Sequence, residues 1–149
     1  MTPTKKIAYV QAGWHTDITD RCKQAFTAEL AKRRYDENGV EFFSAPGSLE
    51  MPLMAKKLAK TGKYAAVCVS GLVVDGGIYR HEFVAQAVLH GIVQTSLETE
   101  VPILSAVLTP HHFHEHADHQ EFFRAHMAIK GKELATACLS IIENLAAVA

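Results

Sequence analysis

The chain carries almost no excess charge of either sign. Fifteen Lys and Arg stand against sixteen Asp and Glu, a formal charge of −1. There is thus no basic field to draw in nucleic acid or an anionic membrane, and a small polar ligand fits better. Cysteine is scarce as well. Cys22, Cys68 and Cys138 are odd in number, widely spaced and set among apolar residues. That excludes a disulfide framework and a four-thiolate zinc site, and predicts buried free thiols in a reducing cytoplasm. No apolar run approaches membrane-spanning length, and no apolar signal core follows the two lysines near the start. Linkers, low-complexity tracts and internal repeats are also missing. What is present is core material: 48% of the 149 residues are hydrophobic, enough for one domain over residues 1–149.

The apolar residues fall into alternating periods. Ile7 to Val10 reads as a strand closed by Gly13, and Thr16 to Tyr35 as a helix through Ile18, Cys22, Phe26 and Leu30, with Thr16 or Asp17 as its cap. Asn38-Gly39 leads to a second strand at Val40–Phe43, stopped by Pro46-Gly47. A helix over Leu49–Lys60 follows, its Pro52 tolerated in the first turn, and Thr61-Gly62 closes it. Ala65 to Val74 is the longest apolar run and reads as the centre of the sheet, covered on both faces. A third helix is expected from about Tyr79 to Leu97, a fourth strand from Val101-Pro102 to Leu108, and a closing helix from Gly131 to about Leu145. Pro110 to His119 reads as a loop or ragged helix start. Four strand-then-helix units with short links demand a parallel sheet, and a flavodoxin-like α/β/α sandwich of three layers is the favoured architecture.

In such a sheet, ligands bind outside the carboxyl ends of the strands, where the glycine turns lie. Trp14, the only tryptophan, follows the first strand in Gln11-Ala12-Gly13-Trp14-His15. Its indole either folds onto the core or serves as a stacking platform for a planar ring. After the second strand, Gly47 leaves the N–H groups of Ser48 and Leu49 at the sheet edge. Glu50 follows in the first helical turn, where it either complements the helix dipole or binds a polyol. Gly76-Gly77 before a helix start is either a sharp turn or an anion-binding nest, with Arg80 and His81 within one turn and Asp75 opposing. Five of the nine histidines lie between His111 and His119. His112 and His116 could share a helix face around a metal ion. No established zinc spacing is matched, however, and imidazoles offered to an anionic ligand fit better.

Pro46-Gly47-Ser48-Leu49-Glu50-Met51-Pro52 resembles the Pro-Gly-Ala-Phe-Glu-Ile-Pro signature of 6,7-dimethyl-8-ribityllumazine synthases. Gly71 to Gly77 with Phe83-Val84 resembles that family's Gly-x-Val-Ile-x-Gly turn and the helix after it, and Leu97–Pro102 with Val107–Thr109 its fourth-strand region. Trp14, Gly77–His81 and Thr109–His114 resemble the type II branch of the family, known from riboflavin synthesis in some bacteria. The resemblance implies condensation of 5-amino-6-(D-ribitylamino)uracil with 3,4-dihydroxy-2-butanone 4-phosphate, with no metal or organic cofactor. An imine would form first, then phosphate loss, tautomerisation, ring closure and dehydration. Holding the two substrates in register would supply much of the acceleration.

The same resemblance implies roles for individual residues. Trp14 would stack on the pyrimidine, Glu50 with the Ser48 and Leu49 backbone would hold the ribityl chain, Leu72, Val73 and Val74 would pair with the ring edge, and the Gly77 and Ile78 amides would take the phosphate. The family's proton-shuttling histidine aligns with Arg80, which stays protonated and is a poor base. Arg80 would therefore bind or donate, while His81 or a water moves protons. His119, Arg124 and His126 compete for the place of the family's phosphate-gripping arginine, and His119 is favoured. Ser105 stands where many members present an aromatic from the adjoining subunit. The resemblance further implies homopentamers, pairing as a decamer in the type II branch. Two other readings compete: a non-catalytic flavin- or lumazine-binding protein of the same fold, and a metal-dependent hydrolase built on the histidine run.

Overall fold

Parallel strands buried on both faces need continuous apolar runs, and the computed structural model places β1 at Lys6–Ala12, β2 at Val40–Ala45, β3 at Tyr64–Leu72 and β4 at Ile103–Leu108. The structure describes residues 5–74, 81–110 and 117–149, with the side chains of 117–119 left aside. All pairings are parallel and the sheet order is β2-β1-β3-β4. Every residue of β3 except Ala65 is buried, as expected of a central strand. Helices α1 (Thr16–Lys32), α2 (Met51–Lys60), α3 (His81–Thr99) and α4 (Ala117–Val148) alternate with the strands.

Alternation of side chains along each strand sends neighbouring residues into two cores. Ile7, Tyr9, Ala66 and Cys68 pack with Ile18, Cys22 and Phe26 of α1 and Met127, Leu134 and Cys138 of α4. Ala8, Val10, Val67 and Val69 pack with Met51 and Ala55 of α2 and Val88 and Ile92 of α3. The result is the expected three-layer α/β/α sandwich, and all three cysteines are free and buried. Because α1 leaves β1 toward one face and α3 follows β3 on the other, a crevice opens where these two adjacent strands end, the topological switch point of the sheet.

Several boundaries differ from the sequence expectation, three of them in α1 and α4. The helix-spaced pattern to Tyr35 overshoots, because α1 ends at Lys32 and Arg34 turns left-handed (φ 61°). The Arg34 and Tyr35 N–H groups then donate to the Ala31 and Leu30 carbonyls. The N-cap of α1 is His15, without a side-chain cap, rather than Thr16 or Asp17. The largest difference is α4, which begins at Ala117 and runs through Gly131 without a break. Glycine there is a packing device: a Cβ would collide with the Cys22 carbonyl oxygen and lie 2.9 Å from the Ala25 Cβ, so its absence lets α1 and α4 close together.

Candidate functional site

Three handovers from strand to helix converge at the switch point. Gly13-Trp14-His15 joins β1 to α1, and the Gly13 N–H donates to the Ala45 carbonyl at 2.9 Å, tying this loop to the end of β2. Beyond β2 a 3-10 turn, Ser48–Glu50, precedes α2. The Ser48 and Leu49 N–H groups stand at its head, where the turn itself offers no acceptor. The bare α-carbon of Gly47 marks where the two loops meet. A Cβ there would sit 3.3 Å from Glu50 Oε1 and 3.4 Å from Trp14 Nε1, so the carboxylate and the indole flank one point. The end of β3 and the residues after it, Leu72 to Val74, form the facing wall.

Between these walls lies a cavity of about 590 Å³. Trp14, Ser48, Leu49, Glu50, Leu72, Val73 and Val74 all line it, so seven of the side chains singled out from sequence come together. The sequence left two places open for Trp14, and the structure places it 67% exposed at the cavity rim. A flat apolar face beside a carboxylate and helix-head amides is suited to a planar ring bearing a hydroxylated chain. The Val73 N–H donates to the Leu108 carbonyl at 2.9 Å.

Two lining residues were not singled out from sequence as site residues. Val84 of α3 stands in the sequence reading only within the Phe83-Val84 part of the family resemblance, and His15 only as the residue after Trp14. Its position directly after Gly13-Trp14, at the strand end, was the available signal.

Gly77, Ile78 and Arg80, like the histidines from His111 to His116, are outside the described residues. His81 opens α3, one turn before the cavity-lining Val84. Its side chain is largely buried, with Nδ1 3.5 Å from the Glu82 carboxylate. Ser105 is on β4 and lines a separate hollow of about 290 Å³ with Lys130 and Glu133 of α4, so a single chain does not bring it to the cavity. Its hydroxyl accepts from the Val107 N–H at 3.1 Å. His119 is the third residue of α4. Arg124 is engaged by Asp17 at 2.8 Å and Glu121 at 3.3 Å, and the Asp17 carboxylate holds its guanidinium above the ordinary arginine value. It clamps α4 to the first turn of α1. The His126 ring stacks on Phe122 with centroids 6.0 Å apart.

Similarity to known proteins extends over nearly the whole chain. The family model described as 6,7-dimethyl-8-ribityllumazine synthase matches residues 4–146. The chain is similar to the 6,7-dimethyl-8-ribityllumazine synthase of Rhodococcus erythropolis, 50% identical over 143 residues, covering 96% of this chain and 92% of that protein. It is equally similar, 50% over 143 residues, to 6,7-dimethyl-8-ribityllumazine synthase 2 of Pseudomonas syringae pathovar tomato, covering 96% and 84% of the two chains. With 6,7-dimethyl-8-ribityllumazine synthase 1 of Caulobacter vibrioides the identity is 32% over 142 residues, covering 94% and 90%. The chain belongs to the 6,7-dimethyl-8-ribityllumazine synthase family.

Proposed function

We propose that the cavity beside Trp14 is where this chain performs its family's reaction. As a transferase of riboflavin biosynthesis, it condenses 5-amino-6-(D-ribitylamino)uracil with 3,4-dihydroxy-2-butanone 4-phosphate to 6,7-dimethyl-8-ribityllumazine. The observation that carries the assignment to this cavity is the meeting of the Trp14 indole and the Glu50 carboxylate at Gly47, on the rim of one apolar hollow. Trp14 stacks on the pyrimidine. Glu50 and the Ser48 and Leu49 amides take the ribityl hydroxyls, a division that follows from charge-assisted hydrogen bonding. Leu72 to Val74 border the ring edge. Because the Val73 N–H is committed to Leu108, pairing there runs through the Val73 carbonyl. His81, one turn before the cavity-lining Val84 on α3, moves protons between the condensing partners. Gly77 and Ile78 hold the phosphate, Arg80 orients it, and His119 reaches it from a neighbouring subunit. The engagement of Arg124 by two carboxylates and the stacking of His126 support that choice.

The assembly is a homopentamer, paired into a decamer, of single-domain chains of the type II branch in the cytoplasm. The exposed indole supports a covering neighbour, and so does Ser105, which lines a hollow apart from its own chain's cavity. Greater identity to relatives named synthase 2 than to one named synthase 1 supports the branch. No described helix is long and apolar enough to cross a membrane.

The test mixes the purified protein with both substrates and follows lumazine absorbance. Glu50→Ala removes a charged hydrogen-bond acceptor worth about 1.5–3 kcal/mol, a loss of roughly 10- to 100-fold in kcat/KM for the ribityl substrate. Trp14→Ala raises the same KM. Wild-type turnover left intact in both variants would move the site elsewhere.

A further inference from the structure

Trp14 and His15, consecutive in the loop between β1 and α1, both line the cavity. The backbone of His15 is unusual for such a position. It is left-handed, φ 54° and ψ 47°, a conformation that is unfavourable for an L-residue and available at no such cost only to glycine. Arg34 and Glu100, the other described non-glycine residues with positive φ, follow the ends of α1 and α3, where a left-handed residue is ordinary helix termination. His15 stands at a helix start instead, and contributes no side-chain cap although Thr16 and Asp17 beside it could have done so. Its carbonyl is held by the Ile18 N–H (3.0 Å), the Thr19 N–H (3.1 Å) and the Thr19 hydroxyl (3.3 Å). An unfavourable backbone is thus kept at a residue that lines the cavity. Local rules broken in this way mark functional positions.

We propose that His15 is a substrate-positioning residue, its imidazole hydrogen-bonded to the polar edge of the planar ring that Trp14 stacks on. An imidazole offers both an N–H donor and a nitrogen acceptor, which suits a ring edge bearing carbonyl and N–H groups. A carboxylate, such as that of Glu50 at the rim, can only accept and suits hydroxyls. His15 therefore selects the heterocycle while Glu50 selects the chain attached to it. This inference rests on the assignment of the cavity made above.

His15→Gly deletes the imidazole and keeps the left-handed backbone at no conformational cost, and His15→Asn keeps a donor and an acceptor on a residue that tolerates the same backbone. Steady-state kinetics of both variants, with melting temperatures, provide the test. In His15→Gly the KM for the ribitylaminouracil rises about tenfold. The KM for the butanone phosphate stays within about twofold and the melting temperature does not fall, and His15→Asn recovers part of the loss. An unchanged pyrimidine KM in His15→Gly overturns the proposal. So does an equal loss on both substrates accompanied by a lower melting temperature, which would reveal a structural role. Glu50→Ala run in parallel separates the two failures: impaired Glu50→Ala beside unimpaired His15→Gly sinks only the role of His15, whereas two unimpaired variants sink the cavity assignment as well.

Discussion

At Gly131 a single missing methyl decides how two helices meet. Alanine is better than glycine in a helix by about 1 kcal/mol, so on propensity alone Gly131→Ala would stabilise α4. The Cys22 carbonyl oxygen and the Ala25 Cβ occupy the space that methyl would need, and neither belongs to a flexible side-chain end. Gly131→Ala is expected to lower the unfolding free energy by about 1–3 kcal/mol in chemical denaturation, the range for overpacking a close contact. A gain in stability would mean that α1 and α4 are not in this register. The same residue shows where sequence reading stops. A glycine in a helical pattern reads as punctuation, and nothing local says that the partner is the backbone of a helix about a hundred residues earlier. Trp14 and Glu50 were legible because each stands at a turn whose glycine is itself a signal. His15 shares the Gly13 turn with Trp14, but no local signal announces its left-handed backbone.

Among the elements, the Ser48–Glu50 turn depends on the strand beneath it. It rests on β3 at Gly71, where a Cβ would lie 2.9 Å from Ser48 Oγ, 3.2 Å from the Ala12 Cβ and 3.3 Å from the Met51 methyl. Gly71→Ala therefore lifts the turn that presents Glu50 and the helix-head amides. A displacement of a few tenths of an ångström matters more to a site that works by alignment than to the fold. The expected outcome is a fall of about tenfold or more in kcat/KM with a stability loss of only about 1–2 kcal/mol. Adding Ser48→Ala relieves the nearest contact and returns part of the stability. Full activity in Gly71→Ala would show that the turn is not seated through this glycine. The order of strands and helices was legible from periodicity because the inner strands β1 and β3 are buried on both faces and the helices turn one apolar face to the sheet. Element ends were less so, as α4 shows: its first turns pack through Phe123 and Met127, while a histidine-rich run and a glycine on either side masked their spacing.

The core between the sheet and the α1–α4 layer responds to pH as one body. Tyr9, Cys22 and Cys68 are fully buried, and burial pushes the phenol and both thiols above their ordinary values. The folded chain therefore keeps these protons at a pH where the unfolded chain has released them. Stability is fully present below the unfolded values, roughly 8.5 for a thiol and about 10 for a phenol, and is lost as pH rises beyond them. Each such group adds at most about 1.4 kcal/mol per pH unit to the alkaline decline. Denaturant titrations between pH 7 and 11 should show a plateau, then a fall that steepens near pH 10. Tyr9→Phe isolates one contribution. The Tyr9 hydroxyl, beside Cys22 and Ser70, has no hydrogen bond of good geometry among the described residues, so its removal is neutral or slightly stabilising at pH 7. Above pH 10 the variant should then decline less steeply than the parent by about one proton's worth of slope. Parallel curves for the two proteins would mean that the phenol ionises as readily in the folded chain as in the unfolded one, and that this core admits water at the sheet.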